Sequence, residues 1–207
     1  YWNTFVSTVI VVVGNLVFPV MAGYALAKLR FPGRKLIFSI LLISMMVPFQ
    51  LMMIQMYIML AKMNMHNTIW AITLPFLSQT MYLFIARQFF YSVPDELIEA
   101  ARIDGAHEFR IFNQIVLPLM KPAIAVQAIF TFVASWNNYF IPSLLLNKDS
   151  KKTLPILIAQ LRSADFLKFD MGKVYMMLGF AILPVIIVYL CLSKFIVRGV
   201  TLGGVKG

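Results

Sequence analysis

The stretch that organises this chain reads Glu99-Ala100-Ala101-Arg102-Ile103-Asp104-Gly105 and continues, after nine intervening residues, with Ile115-Val116-Leu117-Pro118. The segment around it is polar and interrupts a series of long apolar runs. Such an element needs a specific role in so hydrophobic a chain. The pattern predicts that it contacts a partner in the cytoplasm.

The composition indicates an integral membrane protein. Apolar residues make up 61% of the 207 residues, charged residues 13%, and the mean hydropathy is +0.84. Soluble domains are roughly 45–50% apolar and about 25% charged. The net charge of +10 is dispersed among the apolar runs, which favours charges that orient membrane spans over a nucleic-acid surface. The single cysteine, Cys191, gives no basis for a disulfide framework.

Five segments are long and apolar enough to cross a bilayer, which takes about 20 residues each. They are residues 4–27, 36–60, 68–88, 122–146 and 174–197. Pro48, Pro75 and Pro184 lie inside three of them and predict kinks. Kinked helices fit a bundle around a moving cavity, and irregular packing explains them equally well. The expected fold is an all-α polytopic transmembrane helix bundle.

The orientation follows from the turn after the first span. That short turn carries Lys28, Arg30, Arg34 and Lys35, so we expect it in the cytoplasm. Five crossings then place the insert 89–121 and the C-terminus inside. The loop 147–173 is expected outside although it is also basic. It faces either a soluble partner or the lipid surface through its apolar stripe.

The insert is predicted to form two helices. Ser92 is a candidate cap, Pro94 suits a first turn, and Gly105 suits a left-handed C-terminal position. The second helix has a predicted apolar stripe of Phe112, Ile115, Val116 and Leu119. A helix pair lying on the membrane surface is the alternative. The acidic character of the first helix disfavours an anionic leaflet and favours a protein partner.

The pattern Glu-Ala-Ala, three residues, Gly, nine residues, Ile, one residue, Leu-Pro resembles the signature loop of ABC importer permeases at all seven fixed positions. The segments 25–34, 135–139 and 198–207 also look like parts of that family. The last of them resembles the tail of the MalG-like subunit of maltose-type carbohydrate importers. The resemblance therefore covers nearly the whole chain.

The resemblance implies a type I ABC importer permease fold and one transmembrane permease domain over residues 1–207. Its coupling helices would lie at 92–118 and its C-terminal tail at 198–207. Family members have six spans, so one span is expected to be absent here. The implied partners are a second homologous permease subunit, two ATPase subunits and an extracytoplasmic solute-binding protein. The chain itself would be non-catalytic and bind no cofactor, with ATP-Mg held by the ATPases.

Carried over by position, the resemblance also implies residue roles. Glu99 would make a polar contact with an ATPase, Ala100 and Ala101 would pack closely in its groove, and Gly105 would form the sharp turn. The further implied coupling residues are Asp104, Leu117 and Pro118. The residues implied near the ATPase interface in the tail are Gly203, Gly204 and Lys206.

Polar residues within the spans are candidates for the substrate path, because uncompensated polar groups are costly in a bilayer. Ser44 and Gln55 lie eleven residues apart, a spacing that shares one helix face. The other candidates are Gln79, Gln127, Trp136, Asn137, Asn138 and Tyr139. Buried amides that hold helices together are the alternative interpretation.

The resulting hypothesis is a permease subunit in a bacterial or archaeal cell membrane. It would import a carbohydrate, with a neutral oligosaccharide favoured because no lysine or arginine is expected mid-span. A sugar alcohol or glycerol phosphate is the sibling alternative. A membrane scaffold that recruits a soluble partner is the alternative of a different class. No phosphate-loop motif occurs in the sequence.

Overall fold

The computed structural model describes residues 1–163 and 170–203. Secondary structure within these ranges is helical. The α-helices are α1 Trp2–Lys28, α2 Arg34–Met45, α3 Phe49–Lys62, α4 Ile69–Thr73, α5 Thr80–Tyr91, α6 Asp95–Ile103, α7 Glu108–Ile111, α8 Leu117–Leu119, α9 Lys121–Trp136, α10 Phe140–Leu145, α11 Leu154–Ser163 and α12 Met171–Gly203. Leu74–Phe76 and Asp149–Lys151 are 3₁₀ turns, and Phe112–Val116 is a π-helical turn.

Three helical stretches are long and apolar enough to cross a membrane by themselves. They are Trp2–Lys28, Ile69–Tyr91 and Met171–Phe195. Two bent pairs pass the same test together, Arg34–Met45 with Phe49–Lys62 and Glu108–Leu119 with Lys121–Trp136, which gives up to five spans in the described ranges. The predicted all-α polytopic bundle is confirmed.

The second predicted span is broken rather than merely kinked. α2 ends at Met45 and α3 begins at Phe49, with Pro48 extended at φ −60° and ψ 127°. Proline has no N–H to continue the helical hydrogen bonds. Ser44 and Gln55 therefore do not share one helix face, and the spacing argument for that pair is wrong. By contrast, the described α12 continues through Pro184.

The fourth predicted span, 122–146, is too long at its C-terminal end. α9 ends at Trp136, and a separate short helix begins at Phe140. The side-chain amide of Asn137 donates to the carbonyl of Val133 at 2.9 Å. Asparagine side chains compete in this way with the backbone and favour helix ends. Asn137 thus favours the end of the helix inside an apolar run.

The described residues group into two compact units. Unit 1 comprises Tyr1–Val13, Pro48–Leu77 and Ile129–Cys191, and unit 2 comprises Gly14–Val47, Ser78–Ala128 and Leu192–Gly207. In unit 1, the indole N–H of Trp136 donates to the carbonyl of Ala181 at 2.9 Å. The backbone N–H of Leu154 donates to the Thr4 hydroxyl at 2.8 Å. These bonds join α9 to α12 and α11 to the beginning of α1.

The helix α11 lies in the loop 147–173, whose apolar stripe was expected to face lipid or a partner. Instead, Leu154 and Ile156 are both 4% exposed and pack into the core of unit 1. Asn3 donates from its side chain to the carbonyls of Ser150 and Lys152, at 2.9 and 3.1 Å. The stripe therefore serves the internal packing of the chain.

Unit 2 has one main apolar core, formed by α1, α5, α6, the turn Phe112–Val116 and α9. Gly23 permits the closest approach within it. A Cβ atom at Gly23 would lie 3.0 Å from both the Cβ of Ala86 and the backbone nitrogen of Arg87. Small residues at such crossings let membrane helices pack by backbone contact.

We expect Gly23→Ala to destabilise the purified protein by about 1–3 kcal/mol, because α1 and α5 must separate to admit the methyl group. Gly179→Ala is the matched control, since nothing lies within 4 Å of the corresponding Cβ position. Thermal unfolding in detergent measures the difference. Equal midpoints for the two variants would contradict the close packing of α1 on α5.

Candidate coupling site

The first helix of the insert, α6, begins at Asp95 and not at the serine predicted to cap it. Pro94 occupies the N-cap position with an extended backbone. The hydroxyl of Ser92 donates to the carbonyl of Phe89 at 2.7 Å, so it belongs to the end of α5. Asp95 and Glu96 occupy the first turn as predicted, where negative charge complements the helix dipole.

The C-terminal end of α6 is closed by a Schellman motif. Gly105 has φ +80°, a left-handed conformation that favours glycine. The N–H of Ala106 donates to the carbonyl of Ala101, and the N–H of Gly105 donates to the carbonyl of Arg102, both at 3.0 Å. This pair of bonds defines the motif. The turn predicted at Gly105 is thus present in the backbone.

The inner face of α6 packs on the core of unit 2. Ile98 is 2% exposed and Ala101 is 7% exposed, and both belong to the core cluster that contains Tyr24 and Phe90. A side chain buried in this way cannot also line the groove of another protein. Of the two alanines predicted to pack in a partner groove, only Ala100 is exposed.

The second arm of the insert contains the π-helical turn Phe112–Val116. This turn widens the helix and brings residues five apart into register, so that Ile111 and Val116 are both fully buried. Leu119, predicted within the apolar stripe, is 52% exposed. The prediction that Leu119 belongs to the apolar stripe was wrong, because it assumed regular α-helical spacing through the π-helical turn. Leu117 packs partly against the core, and Pro118 is exposed.

A carboxylate links the two arms to α1. The Tyr24 hydroxyl donates to Oε2 of Glu108 at 3.1 Å, and Nε of Arg102 donates to its Oε1 at 2.6 Å. The hydrogen bond to Glu108 raises the pKa of Arg102. Because Arg102 and Glu108 are about 40% exposed, their ion pair contributes modest stability, on the order of 1 kcal/mol or less. The main effect of the ion pair is to hold α6 and α7 in position relative to each other.

The start of α6 is fastened to the last turn of α1 by Lys28. The ammonium donates to the carbonyl of Val93 and to Oδ1 of Asp95, both at 2.6 Å. The Lys28 side chain is only 5% exposed, whereas Asp95 is 72% exposed. The hydrogen bond from Lys28 lowers the pKa of Asp95 below its usual 3.8. A residue predicted to orient the membrane span thus also holds the insert.

The outer face of α6 and its turn is open. Glu99, Ala100 and Asp104 are exposed. Two large apolar side chains accompany them, Ile103 at 86% and Phe109 at 63% exposure. Exposed apolar residues set among charges on a rigid base are typical of a protein interface. Sequence analysis missed both of these side chains, although their isolation in a polar segment is visible in the sequence.

Three of the predicted path residues, Trp136, Asn137 and Tyr139, line one cavity of about 540 Å³ in unit 1. Gln55 and Asn137 are exposed, Tyr139 is 46% exposed, and the exposed Ser44 donates its hydroxyl to Leu41 O at 2.7 Å. Asn138 is half-buried. Their role in a path stays a prediction.

Asn15 and Gln127 are buried amides of unit 2 with structural partners, and Gln79 is half-buried. Asn15 is fully buried, accepts from the backbone of Gln79 at 3.0 Å, and accepts at its own carbonyl from the Gln127 side chain at 2.8 Å. Gln127 therefore fits the alternative of an amide that holds helices together. Asn15 was missed because it lies inside an apolar run. In the tail, Gly203 ends α12, while Gly204 and Lys206 lie outside the described residues.

Comparison with known proteins identifies the family. The profile described as "Binding-protein-dependent transport system inner membrane component" matches residues 15–202. The chain belongs to this family. Membership makes it a multi-pass membrane component of a transport system, as the resemblance implied, and leaves the membrane scaffold without support.

Curated relatives of this transport family align along 95% or more of the chain. The arabinooligosaccharides transport system permease protein AraQ of Bacillus subtilis is 38% identical over 100% of the chain and 73% of its own length. AraQ of Halalkalibacterium halodurans is 37% identical over 100% of the chain and 75% of its length. The sn-glycerol-3-phosphate transport system permease protein UgpE of Yersinia pestis bv. Antiqua is 32% identical over 95% of the chain and 70% of its own length.

Solved structures agree with this transport fold. A chain of a bacterial ABC transporter involved in the import of the acidic polysaccharide alginate matches with a TM-score of 0.83 and 28% identity, over 94% of this chain and 73% of that one. A chain of the MetNI methionine ABC transporter matches with a TM-score of 0.67, over 96% of this chain and 93% of that one. At 16% identity, the second match shows the fold alone.

We expect the link between Lys28 and Asp95 to give a pH-dependent stability. Because the pKa of Asp95 is lower in the folded chain, the link stabilises the fold above pH 3.8 and is lost as the pH falls through the lowered value. Asp95 is largely exposed, so the contribution at pH 7 is under about 1 kcal/mol. Unfolding midpoints at pH 7 and pH 3 measure it.

Both Lys28→Met and Asp95→Asn should reduce the loss of stability between pH 7 and pH 3 by the same amount. Lys28→Met should cost more at pH 7, about 1–3 kcal/mol, because it also leaves the Val93 carbonyl without its donor. Glu96→Gln is the control for removal of a neighbouring carboxylate. An unchanged pH dependence in Asp95→Asn would contradict the assignment.

Proposed function

We propose that this chain is the permease subunit of an ATP-driven ABC importer of carbohydrates and that residues 92–118, the coupling segment, receive the motion of an ATPase subunit. One observation carries the mechanism. The coupling segment is buried and hydrogen-bonded on its inner side, and it presents Ile103 and Phe109 to solvent on its outer side. A surface of this kind can both bind a partner and transmit its displacement.

The transmission follows from the contacts at the base of the coupling segment. Lys28 and Tyr24 join it to α1, and Phe90 of α5 packs in the same core. The Tyr24 ring meets Phe90 at 5.6 Å and Phe112 at 5.1 Å between centroids. Closely packed interiors transmit displacement because they deform little. ATP-driven closure of the ATPases would thus bias the membrane helices through differential contacts.

The partners of this assembly follow from the same proposal. Two ATPase subunits hold ATP-Mg, a solute-binding protein delivers the substrate, and a second homologous permease subunit completes the path. The described part of α12 supports the proposal of a second permease subunit. None of its most apolar 18-residue stretch is buried within the chain, so this surface is free to contact another subunit. Residues 1–207 would act as one permease domain, non-catalytic itself, with the coupling segment and the C-terminus in the cytoplasm.

The substrate proposed is a neutral oligosaccharide. AraQ, which transports arabinooligosaccharides by its name, shares more sequence with this chain than UgpE does. Glycerol phosphate remains the second candidate on the strength of UgpE. The candidate path residues Gln55, Gln79, Asn137, Asn138 and Tyr139 offer amides and an aromatic face, which suit sugar hydroxyls better than a phosphate. Ser44 adds a hydroxyl.

Solute uptake by the assembled complex in liposomes tests the function. The complex is supplied with its binding protein and with a panel of arabinooligosaccharides, maltooligosaccharides, sugar alcohols and glycerol 3-phosphate. Stimulation of ATP hydrolysis and uptake by a neutral oligosaccharide is the expected outcome. Stimulation by glycerol 3-phosphate alone would replace the substrate assignment, and full assembly without stimulation by any solute would count against a carbohydrate importer.

We expect Ile103→Asp to weaken binding of the ATPase subunits at least tenfold, because a desolvated apolar contact is replaced by a charge. Ile103→Leu keeps the apolar area and is the matched control. Co-purification of ATPase subunits with the permease measures assembly. Since Ile103 is 86% exposed, the fold of the chain should be unaffected, and normal assembly of Ile103→Asp would exclude this side chain from the interface.

We expect Glu99→Lys and Gly105→Pro to uncouple ATP hydrolysis from uptake without preventing membrane insertion. The first reverses a charge on the outer face of α6. The second cannot adopt φ +80°, because proline fixes φ near −65°, so the end of α6 must move. Gly33→Pro is the control for Gly105→Pro, as Gly33 has φ +81° outside the coupling segment. Normal uptake by both variants would contradict the coupling role.

A further inference from the structure

A cleft of about 910 Å³ lies between the beginning of α2 and the end of α5, outside the coupling segment. Four basic side chains line it, and no acidic side chain does so in the described part of the chain. These cations are Arg30, Arg34, Lys35 and Arg87. In the same described ranges, none of the four forms a salt bridge within the chain. Such a concentration of unpaired positive charge in a concave site attracts an anion.

The guanidinium of Arg87 lies at the wall of this cleft and is held by several contacts. It stacks on the ring of Phe38 at 3.5 Å and lies 4.7 Å from the ring centre of Tyr91. Its Nε donates to the carbonyl of Leu26 at 3.2 Å, and its Nη2 donates to the Tyr91 hydroxyl. The aromatic contacts hold the planar group in one orientation, and arginine presents more donors than these two bonds use.

Arg34 stands beside it on α2. Its Nη1 donates to the carbonyl of Leu29 at 3.0 Å, and its Nη2 lies 3.4 Å from the Tyr91 hydroxyl. Two guanidinium groups thus share the Tyr91 hydroxyl. Like charges held this close repel one another, and an anion beside them offsets that repulsion by attracting both. The packing of the unit therefore favours an anionic occupant.

The cleft also continues into an apolar surface. Leu36, Ile40 and Ile43 lie on one face of α2, at spacings of four and three residues, and are 66%, 56% and 62% exposed. Phe31 and Leu36 line the cleft itself. A ligand suited to both parts carries a negative head beside the cations and hydrocarbon along α2. Among biological anions, phospholipids have this form, and basic pockets between membrane helices bind their head groups.

We propose that this basic cleft binds the head group of an anionic phospholipid, with an acyl chain along the exposed face of α2. The phosphodiester lies among Arg30, Arg34, Lys35 and Arg87. Bidentate contact of guanidinium groups with phosphate oxygens is the recognition chemistry. The proposal requires the helices to lie in a bilayer and is independent of the transported solute.

A second cavity, of about 480 Å³, lies beside the coupling segment and contains charges of both signs. Three carboxylates line it, those of Asp95, Glu96 and Glu99, together with the basic side chains of Lys28, Arg30, Arg34 and Arg102. Lys35 and Arg87 are not among its lining residues. Lys35 is exposed, and its removal leaves the bonds described for Arg34 and Arg87 intact. Lys35→Gln therefore tests the anion site without disturbing the hydrogen bonds of the fold.

The experiment uses the assembled complex purified in detergent and titrated separately with phosphatidylglycerol and phosphatidylcholine. Native mass spectrometry counts the lipid bound. We expect tighter binding of phosphatidylglycerol than of phosphatidylcholine, weakened about fivefold by Lys35→Gln, as expected for the loss of one charge near a lipid surface. Lys121→Gln is the matched control, because Lys121 is exposed and lies outside the cleft.

Three results would overturn the proposal. Equal weakening by Lys35→Gln and Lys121→Gln would show general surface attraction rather than a site. Equal affinity for phosphatidylcholine and phosphatidylglycerol would exclude recognition of negative charge. Retention of inorganic phosphate in place of phosphatidylglycerol, when both are supplied, would assign the cleft to a soluble phosphate. Gel filtration of each variant complex checks that assembly is intact.

Discussion

The attachment of the coupling segment to the end of α1 is the constraint on which the rest of unit 2 depends. A buried ammonium, that of Lys28, bonds the backbone just before α6 and the first side chain within it. Tyr24, one turn earlier on α1, reaches the carboxylate of Glu108 on the second arm. An apolar core closes around these bonds. Both arms are therefore bonded to the same helix, α1.

Sequence reasoning succeeded where a single local rule decides the structure. Hydrophobic length predicted the spans, and the conformational preference of glycine predicted the turn at Gly105. It failed where neighbours compete for the same group. Serine is a favourable N-cap residue, but the Ser92 hydroxyl donates instead to a carbonyl at the end of α5. Asn137 ended a helix that hydropathy alone would have continued.

The candidate site shows the same division. The presence of two helices on either side of Gly105 could be predicted from the sequence, whereas the direction of each side chain could not. Ala101 faces inward because the register of α6 is set by Ile98 in the core. The π turn at Phe112–Val116 then shifts the following residues by a step that no regular period contains. Tertiary packing, rather than residue type, decides which members of a motif remain exposed.

The Schellman motif at the end of α6 has a thermodynamic consequence for any protein that covers it. The carbonyls of Ala100, Ala101 and Arg102 already accept bonds from Asp104, Ala106 and Gly105. A helix end usually presents such carbonyls to water, and covering them incurs a desolvation cost of a few kcal/mol. Here the backbone has satisfied them beforehand. A protein that covers the end of α6 therefore removes water mainly from side chains. Burial of the exposed, apolar Ile103 side chain is then favourable.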